Sequence, residues 1–264
     1  MEASATGNTP SQGPTAVISG GLGDIGRAIA IALRAAGARV ALSDLAPAKT
    51  AAQRMPSFHY TRVDIADYQQ VKTWLQAVER SLSVPTWIIC NAGVVIPGSS
   101  RATSPALWEK TLSVNLTGSF FLAQLAAERM AKKKLPGRIV FIGSWAGEVP
   151  HPQITAYSVA KAGLRMAMKC LATDYAAYGI LVNEVAPGIV DAGLSGKMMA
   201  RTPHLREKTR QRIPVRRMLT PEDVAQGVVS LCDSRNLHMT GSVLLLDGGL
   251  TLKGPLPSSN ADAD

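Results

Sequence analysis

The chain has 264 residues, of which 46% are apolar and 18% charged, with a formal net charge of +9. That balance belongs to a globular domain long enough to bury a sizeable core. No run of 18 apolar residues occurs, and the first ten residues show no basic region followed by an apolar one, so neither a membrane span nor a signal peptide is expected.

Residues 1–13 and 253–264 are rich in small, polar and Pro residues without apolar periodicity, and read as loose tails around a domain at 14–252. Short apolar runs near 14–19, 38–43, 58–63, 86–90, 138–143, 180–185 and 242–247 predict strands. Amphipathic stretches near 24–36, 47–54, 67–82, 104–131, 155–178 and 221–232 predict helices. Strands alternating with helices of this length predict one doubly wound α/β domain, a seven-stranded parallel sheet with helices on both faces. Cys90, Cys170 and Cys232 lie far apart in apolar surroundings without metal-ligand spacing. They read as reduced core residues of a cytoplasmic protein, and no metal is expected.

The first predicted strand runs into Gly20-Gly21-Leu22-Gly23-Asp24-Ile25-Gly26 and then into an apolar-periodic helix. Glycines there allow a tight turn and close approach of backbone to a pyrophosphate, and the amino end of a helix favours anions. Asp44 ends the second strand eighteen residues after Gly26, where an acidic group accepts from an adenosine ribose. A dinucleotide site follows from that context.

Ser144 ends the fifth predicted strand, the edge of an open α/β sheet at which ligands bind. Tyr157 lies thirteen residues later and Lys161 four beyond it, on a segment rich in helix formers. At that spacing the two side chains share a helical face, and a cation beside a phenol favours the phenolate, which suits tyrosine to acid–base work.

With these stretches the chain resembles the short-chain dehydrogenase/reductase family over about residues 14–250. Gly20 and Gly26 match the glycine pattern, with Ser19 in place of its threonine and Asp24 in place of its middle glycine. Asn91-Ala92-Gly93, Asp64, Pro187-Gly188 and Asp247-Gly248-Gly249 match further motifs, and Ala192 stands where a threonine commonly contacts the nicotinamide carboxamide. The resemblance implies a Rossmann-type fold and a catalytic set of Asn115, Ser144, Tyr157 and Lys161. It implies nicotinamide-dinucleotide contacts from Ser19, Gly20, Leu22, Gly23, Asp24, Ile25, Gly26, Asp44, Leu45, Asp64, Ile65, Asn91, Ala92, Gly93, Tyr157, Lys161, Pro187, Gly188, Ile189 and Val190. Asp44 favours NAD over NADP, since a 2′-phosphate beside it would bring like charges together. The family also implies a homotetramer packed through 104–131 and 155–178, where Ala123, Ala126, Ala127, Ala167, Ala172 and Ala176 permit close approach.

The substrate is argued from two segments. A lid at about 194–218 carries eight Lys/Arg against Glu207 between Lys197 and Arg217. This is either a solvated face or a site for an anionic group, with Arg201 and His204 the first choices for contact. The loop 145–154 offers Glu148, His151 and Gln153 for hydroxyls and Trp145 as a flat apolar face, although His151 equally suits a cap in a Pro-rich turn. Glu148-Val-Pro-His-Pro also resembles NAD-dependent sugar 1-dehydrogenases of the family, so a sugar-like, anionic small molecule is expected. A 3-oxoacyl thioester reductase is the alternative within enzymes, and a cofactor-binding scaffold or regulator the alternative outside them. The basic charge lies in the lid rather than along a nucleic-acid-reading helix, so no nucleic-acid partner is expected.

Overall fold

The structure, a computed structural model, describes residues 13–253 apart from 194, 195, 197, 198, 200 and 201. The tails expected at the two ends lie almost wholly outside the described residues, as does Arg201. Strands β1 (Thr15–Ser19), β2 (Arg39–Asp44), β3 (His59–Arg62), β4 (Trp87–Cys90), β5 (Gly137–Ile142), β6 (Ile180–Pro187) and β7 (Val243–Leu246) form one sheet in the order 3-2-1-4-5-6-7. Every pairing is parallel. Consecutive parallel strands need crossovers, and the direction of winding reverses between β1 and β4, which opens a crevice at the carboxyl edge there.

Alternation along the strands divides the core. Val17, Ile88, Ile139, Phe141 and Val182 face one side, against Trp74 of α3 (Tyr68–Ser81), Leu122 of α5 (Ser119–Lys132) and Leu164 and Met168 of α6 (Thr155–Tyr175). Their neighbours Ala16, Ile18, Ile89, Val140 and Val185 face the other, against Ile29 and Leu33 of α1 (Asp24–Ala35) and Val224 and Val228 of α8 (Pro221–Cys232). Burial on both faces is why these strands read as continuous apolar runs. Helix starts follow local chemistry: Asp67 accepts from the amides of Gln69 and Gln70 to cap α3, and Thr220 and Asp223 form a capping box on α8. Pro47 precedes α2 (Ala48–Arg54).

Four expectations change. The helix expected over 104–131 is α4 (Pro105–Leu112), a π-helical turn at Ser113–Gly118, and α5. The lid contains a helix, α7 (Pro203–Arg212), whose run of charged residues has no apolar stripe by which to predict it. Cys90 and Cys232 are buried but Cys170 is exposed. Ala123, Ala126, Ala127 and Ala172 point into the chain's own core, so they do not line a surface between subunits. The outward face of α6 instead presents Val159, Met166 and Cys170. Among the described residues no helix is long and apolar enough to cross a membrane, and no cluster of His, Cys, Asp or Glu is arranged to hold a metal.

Candidate active site

The glycine loop is tied to the strand beside it. The Ser19 hydroxyl accepts from the amides of Asn91 and Ala92, both at 3.1 Å, and Asn91 Nδ2 donates to the carbonyls of Ser19 and Gly20 at 2.9 and 3.0 Å. Ser19 is fully buried, so its side chain shapes the crevice without facing it. Gly20 has φ +64°, and a Cβ on Gly26 would stand 2.3 Å from the Gly20 carbonyl oxygen. Both positions therefore require glycine. Gly23 precedes helix α1 and supplies no side-chain cap, leaving the polar end that attracts phosphates. Ile25 packs back onto the core.

Asp24 does not imitate a glycine. Its carboxylate accepts from the Gly193 amide and from Arg27, both at 2.9 Å, joining α1 to the start of the lid. The Gly193 bond first, then Arg27, outweigh burial and hold the carboxyl below its ordinary range. Asp44 is similarly fixed: Oδ2 accepts from Leu22 N at 3.1 Å and Oδ1 from Ala46 N at 3.2 Å. Leu45 is exposed beside a cavity also lined by Arg62, Asp64 and Gln70. Asp64 Oδ1 accepts from Ala66 N at 2.9 Å, while Ile65 is buried, its carbonyl 2.4 Å from where a Gly118 Cβ would lie.

Arg39 lies at the far end of β2, where it donates to Leu82 and Ser83, well away from Asp44. Two other arginines are nearer, and neither was singled out from sequence. Arg54 donates to the Leu22 carbonyl at 3.3 Å, and Arg62, opposite Asp44 in the β2–β3 register, donates to the Leu45 carbonyl at 3.0 Å.

Ser144, Tyr157, Lys161 and Asn115 converge at the carboxyl ends of β4 and β5. Lys161 is 4% exposed and donates to the Ile142 carbonyl at 2.7 Å, with its Nζ 5.6 Å from the Tyr157 ring centre. The Asn115 amide closes a ring with Val94, donating to its carbonyl at 2.9 Å and accepting from its amide at 3.1 Å. A Cβ on Gly93 would meet Asn115 Oδ1 at 2.8 Å and Lys161 Nζ at 3.9 Å, so glycine lets these side chains close on the crevice. Asn115 sits within the π-helical turn, a distortion frequent at functional sites.

The expected lowering of the Tyr157 phenol by Lys161 is not what the surroundings produce. Burial raises it, the neighbouring Ser144 hydroxyl opposes this, and the negative charge of Glu184 raises it further. Burial brings Lys161 down to about 8, against the favourable field of Glu184. Desolvation disfavours the charged form of each group and is the largest influence on both.

Glu184 was not singled out from sequence. It lies in β6, fully buried, and is bound by Arg165 of α6 through Nε and Nη2 at 3.1 and 3.0 Å. The signal was present as one acidic residue within an apolar strand, which requires a buried partner. Arg165, one turn beyond Lys161 on the same helical face, supplies it.

The substrate candidates divide. Glu148 accepts from Arg165 Nη1 at 3.0 Å. His151 contacts the Pro152 carbonyl through Nδ1 at 2.6 Å and stands edge-on to Trp145 at 5.4 Å. Gln153 is exposed, in a left-handed conformation, with its carbonyl bound by Gly98 N. Trp145 is 5% exposed, packed with Met199, Ile213 and Met218 beneath the lid, so it is no open pocket wall. His204 is exposed at the start of α7. Lid arginines Arg206, Arg210 and Arg217 are paired with Asp191, Glu207 and Asp223. Beyond β6, Gly188 packs on Asp247, and the Ile189 carbonyl accepts from Leu219 N, fixing the Pro187–Val190 turn at the crevice rim.

Residues 21–251 match the family model described as Enoyl-(Acyl carrier protein) reductase. The chain is 30% identical to the 3-oxoacyl-acyl-carrier-protein reductase FabG of Aquifex aeolicus, over 90% of this chain and 98% of that one. It superposes with a TM-score of 0.83 on a proposed gluconate dehydrogenase from Agrobacterium tumefaciens, 26% identical, covering 90% of this chain and 96% of that one. It also superposes with a TM-score of 0.84 on NADP-bound ElxO, 25% identical, covering 90% and 98% respectively. The chain belongs to the short-chain dehydrogenase/reductase family, whose members are nicotinamide-dependent oxidoreductases acting on CH–OH groups.

Proposed function

We propose that this protein transfers a hydride between NAD and a secondary or anomeric hydroxyl of a sugar-like, anionic substrate. The observation that most supports this is the meeting of Ser144, Tyr157 and Lys161 beside Gly93, at the sheet edge that also carries the glycine cradle and Asp44. The glycine-loop residues from Gly20 to Gly26 would hold the pyrophosphate, and Asp44 and Leu45 the adenosine ribose. Asp64 and Ile65 would flank the adenine, and Gly93, Lys161 and Pro187–Val190 the nicotinamide end. When bound, the nicotinamide accepts or donates the hydride.

In the oxidising direction Tyr157 takes the hydroxyl proton while the C–H hydrogen leaves as hydride, giving a carbonyl or, from an anomeric carbon, a lactone. Ser144 donates to the oxygen as charge develops on it. Lys161 supplies the cation beside the phenol, and Asn115 holds the Gly93–Val94 turn against it. Because burial and Glu184 keep the proton on Tyr157, oxidation is expected to quicken with rising pH, as the base form becomes populated.

The NAD preference rests on Asp44. A 2′-phosphate about 4 Å from its carboxylate is disfavoured by roughly 1–4 kcal/mol. Arg54 and Arg62 stand close enough to offset part of that, so the preference is set at about tenfold, near the bottom of the range. The anion reading keeps Arg201 and His204 as its first choices, and the likeness to a proposed gluconate dehydrogenase supports a sugar acid. The likeness to FabG favours one second reading, a 3-oxoacyl thioester reductase. The protein is assigned to the cytoplasm as a homotetramer, with Val159 and Met166 on the outward face of α6 available for pairing.

Initial rates with gluconate, glucose, glucose 6-phosphate and acetoacetyl-CoA, each with NAD(H) and NADP(H), test the reading. The expected result is faster turnover of a charged sugar than of its neutral parent, with the lower KM for NAD. Turnover of acetoacetyl-CoA alone would favour the second reading, and a lower KM for NADP would overturn the cofactor assignment.

A further inference from the structure

Behind the candidate site Glu184 forms a buried ion pair with Arg165, a contact to which the mechanism above gives no role. Glu184 is opposite Phe141 in the β5–β6 register, and its carboxylate turns toward the end of β5, where Gly143 makes room for it. A Cβ on Gly143 would stand 2.0 Å from Glu184 Oε1. Arg165 holds both carboxylate oxygens through Nε and Nη2. The same guanidinium reaches the Ser144 carbonyl at 3.4 Å and, through Nη1, Glu148 at 3.0 Å. Tyr157, Lys161 and Arg165 follow at four-residue intervals on α6, so one helical face meets the strand end. Lys161 binds the Ile142 carbonyl, and Arg165 binds that of Ser144.

Resting on the catalytic assignment above, we propose that Arg165 and Glu184 are the positioning pair of this site. The carboxylate seats against Gly143 and orients a guanidinium that ties the Ser144 carbonyl to Glu148, so that the end of β5, α6 and the loop 145–154 are held as one body. A bidentate, nearly dry arginine–carboxylate contact has the directional rigidity for this, unlike an exposed pair. The carboxylate also acts at a distance. Its field favours the charged form of Lys161 and disfavours the phenolate of Tyr157. The other charged or titratable groups around the site are Cys90 from β4, Arg165 from the helix itself and Glu148 from the loop.

Testing the pair itself needs no substrate. Tyr157 titration is read in the purified full chain as the phenolate absorbance difference between each background and its Tyr157→Phe counterpart. Peptides covering 143–154 are followed by hydrogen exchange. Glu184→Gln and the apolar double variant Arg165→Met/Glu184→Met are compared with wild type, the second keeping the core filled if the first fails to fold. In Glu184→Gln the Tyr157 midpoint is expected to move down, and in both variants exchange in 143–154 to quicken at least tenfold, while peptides from β1 and β2 stay unchanged. An unmoved midpoint in folded Glu184→Gln, or unchanged exchange in either folded variant, overturns the proposal. Turnover that survives Tyr157→Phe overturns the catalytic assignment instead, so the two failures are separable.

Discussion

Lys161 carries a charge in a place that disfavours it, and the consequence can be measured without a substrate. Burial takes its ammonium from the usual 10.5 to about 8. At about 1.4 kcal/mol per unit, keeping it protonated costs the folded state about 3 kcal/mol below pH 8. Lys161→Met keeps the length, removes the charge, and forfeits the bond to the Ile142 carbonyl, worth about 1.5–3 kcal/mol. The two changes nearly cancel near pH 7, so the informative quantity is the pH dependence. The unfolded chain keeps this proton up to 10.5 while the folded chain releases it near 8, so wild-type stability rises with pH across that window. Between pH 8 and about 9.5 the rise from this group is about 2 kcal/mol, and the variant lacks it. Urea unfolding of both proteins at several pH values gives the difference directly. A gap between wild type and variant that does not widen in favour of wild type would refute the reasoning.

Tyr157→Phe removes the proposed proton acceptor and keeps the ring, so cofactor binding should persist while turnover drops by at least about a hundredfold; dye-free binding assays and initial rates check both halves. Gly143→Ala places a methyl on the Glu184 carboxylate and should lower stability by about 2 kcal/mol or more in urea melts. Asp44→Ala should narrow the ratio of KM values for NADP and NAD, because it removes the repulsion while Arg54 and Arg62 stay in place; an unchanged ratio would clear Asp44 of the role. Light scattering should give a tetramer mass, and a monomer would remove the pairing assigned to α6.

Much of this architecture could be read along the chain, because the deciding interactions are local. Apolar runs such as Arg138–Ile142 become strands, glycines at Gly20 and Gly26 mark where backbone must approach backbone, and the i, i+4 spacing puts Tyr157 and Lys161 on one face. What stayed hidden depends on residues far apart in sequence. Arg165 and Glu184 are nineteen residues apart and meet only because β6 lies beside β5. Asp24 reaches Gly193 across 169 residues to tie the glycine loop to the lid. Whether Lys161 lowers the Tyr157 phenol could not be read from spacing either. The sign depends on how thoroughly the fold removes both groups from water and on which third charge it brings near. Desolvation is a property of the packed chain, so the pattern of residues names the participants and the fold sets their charges.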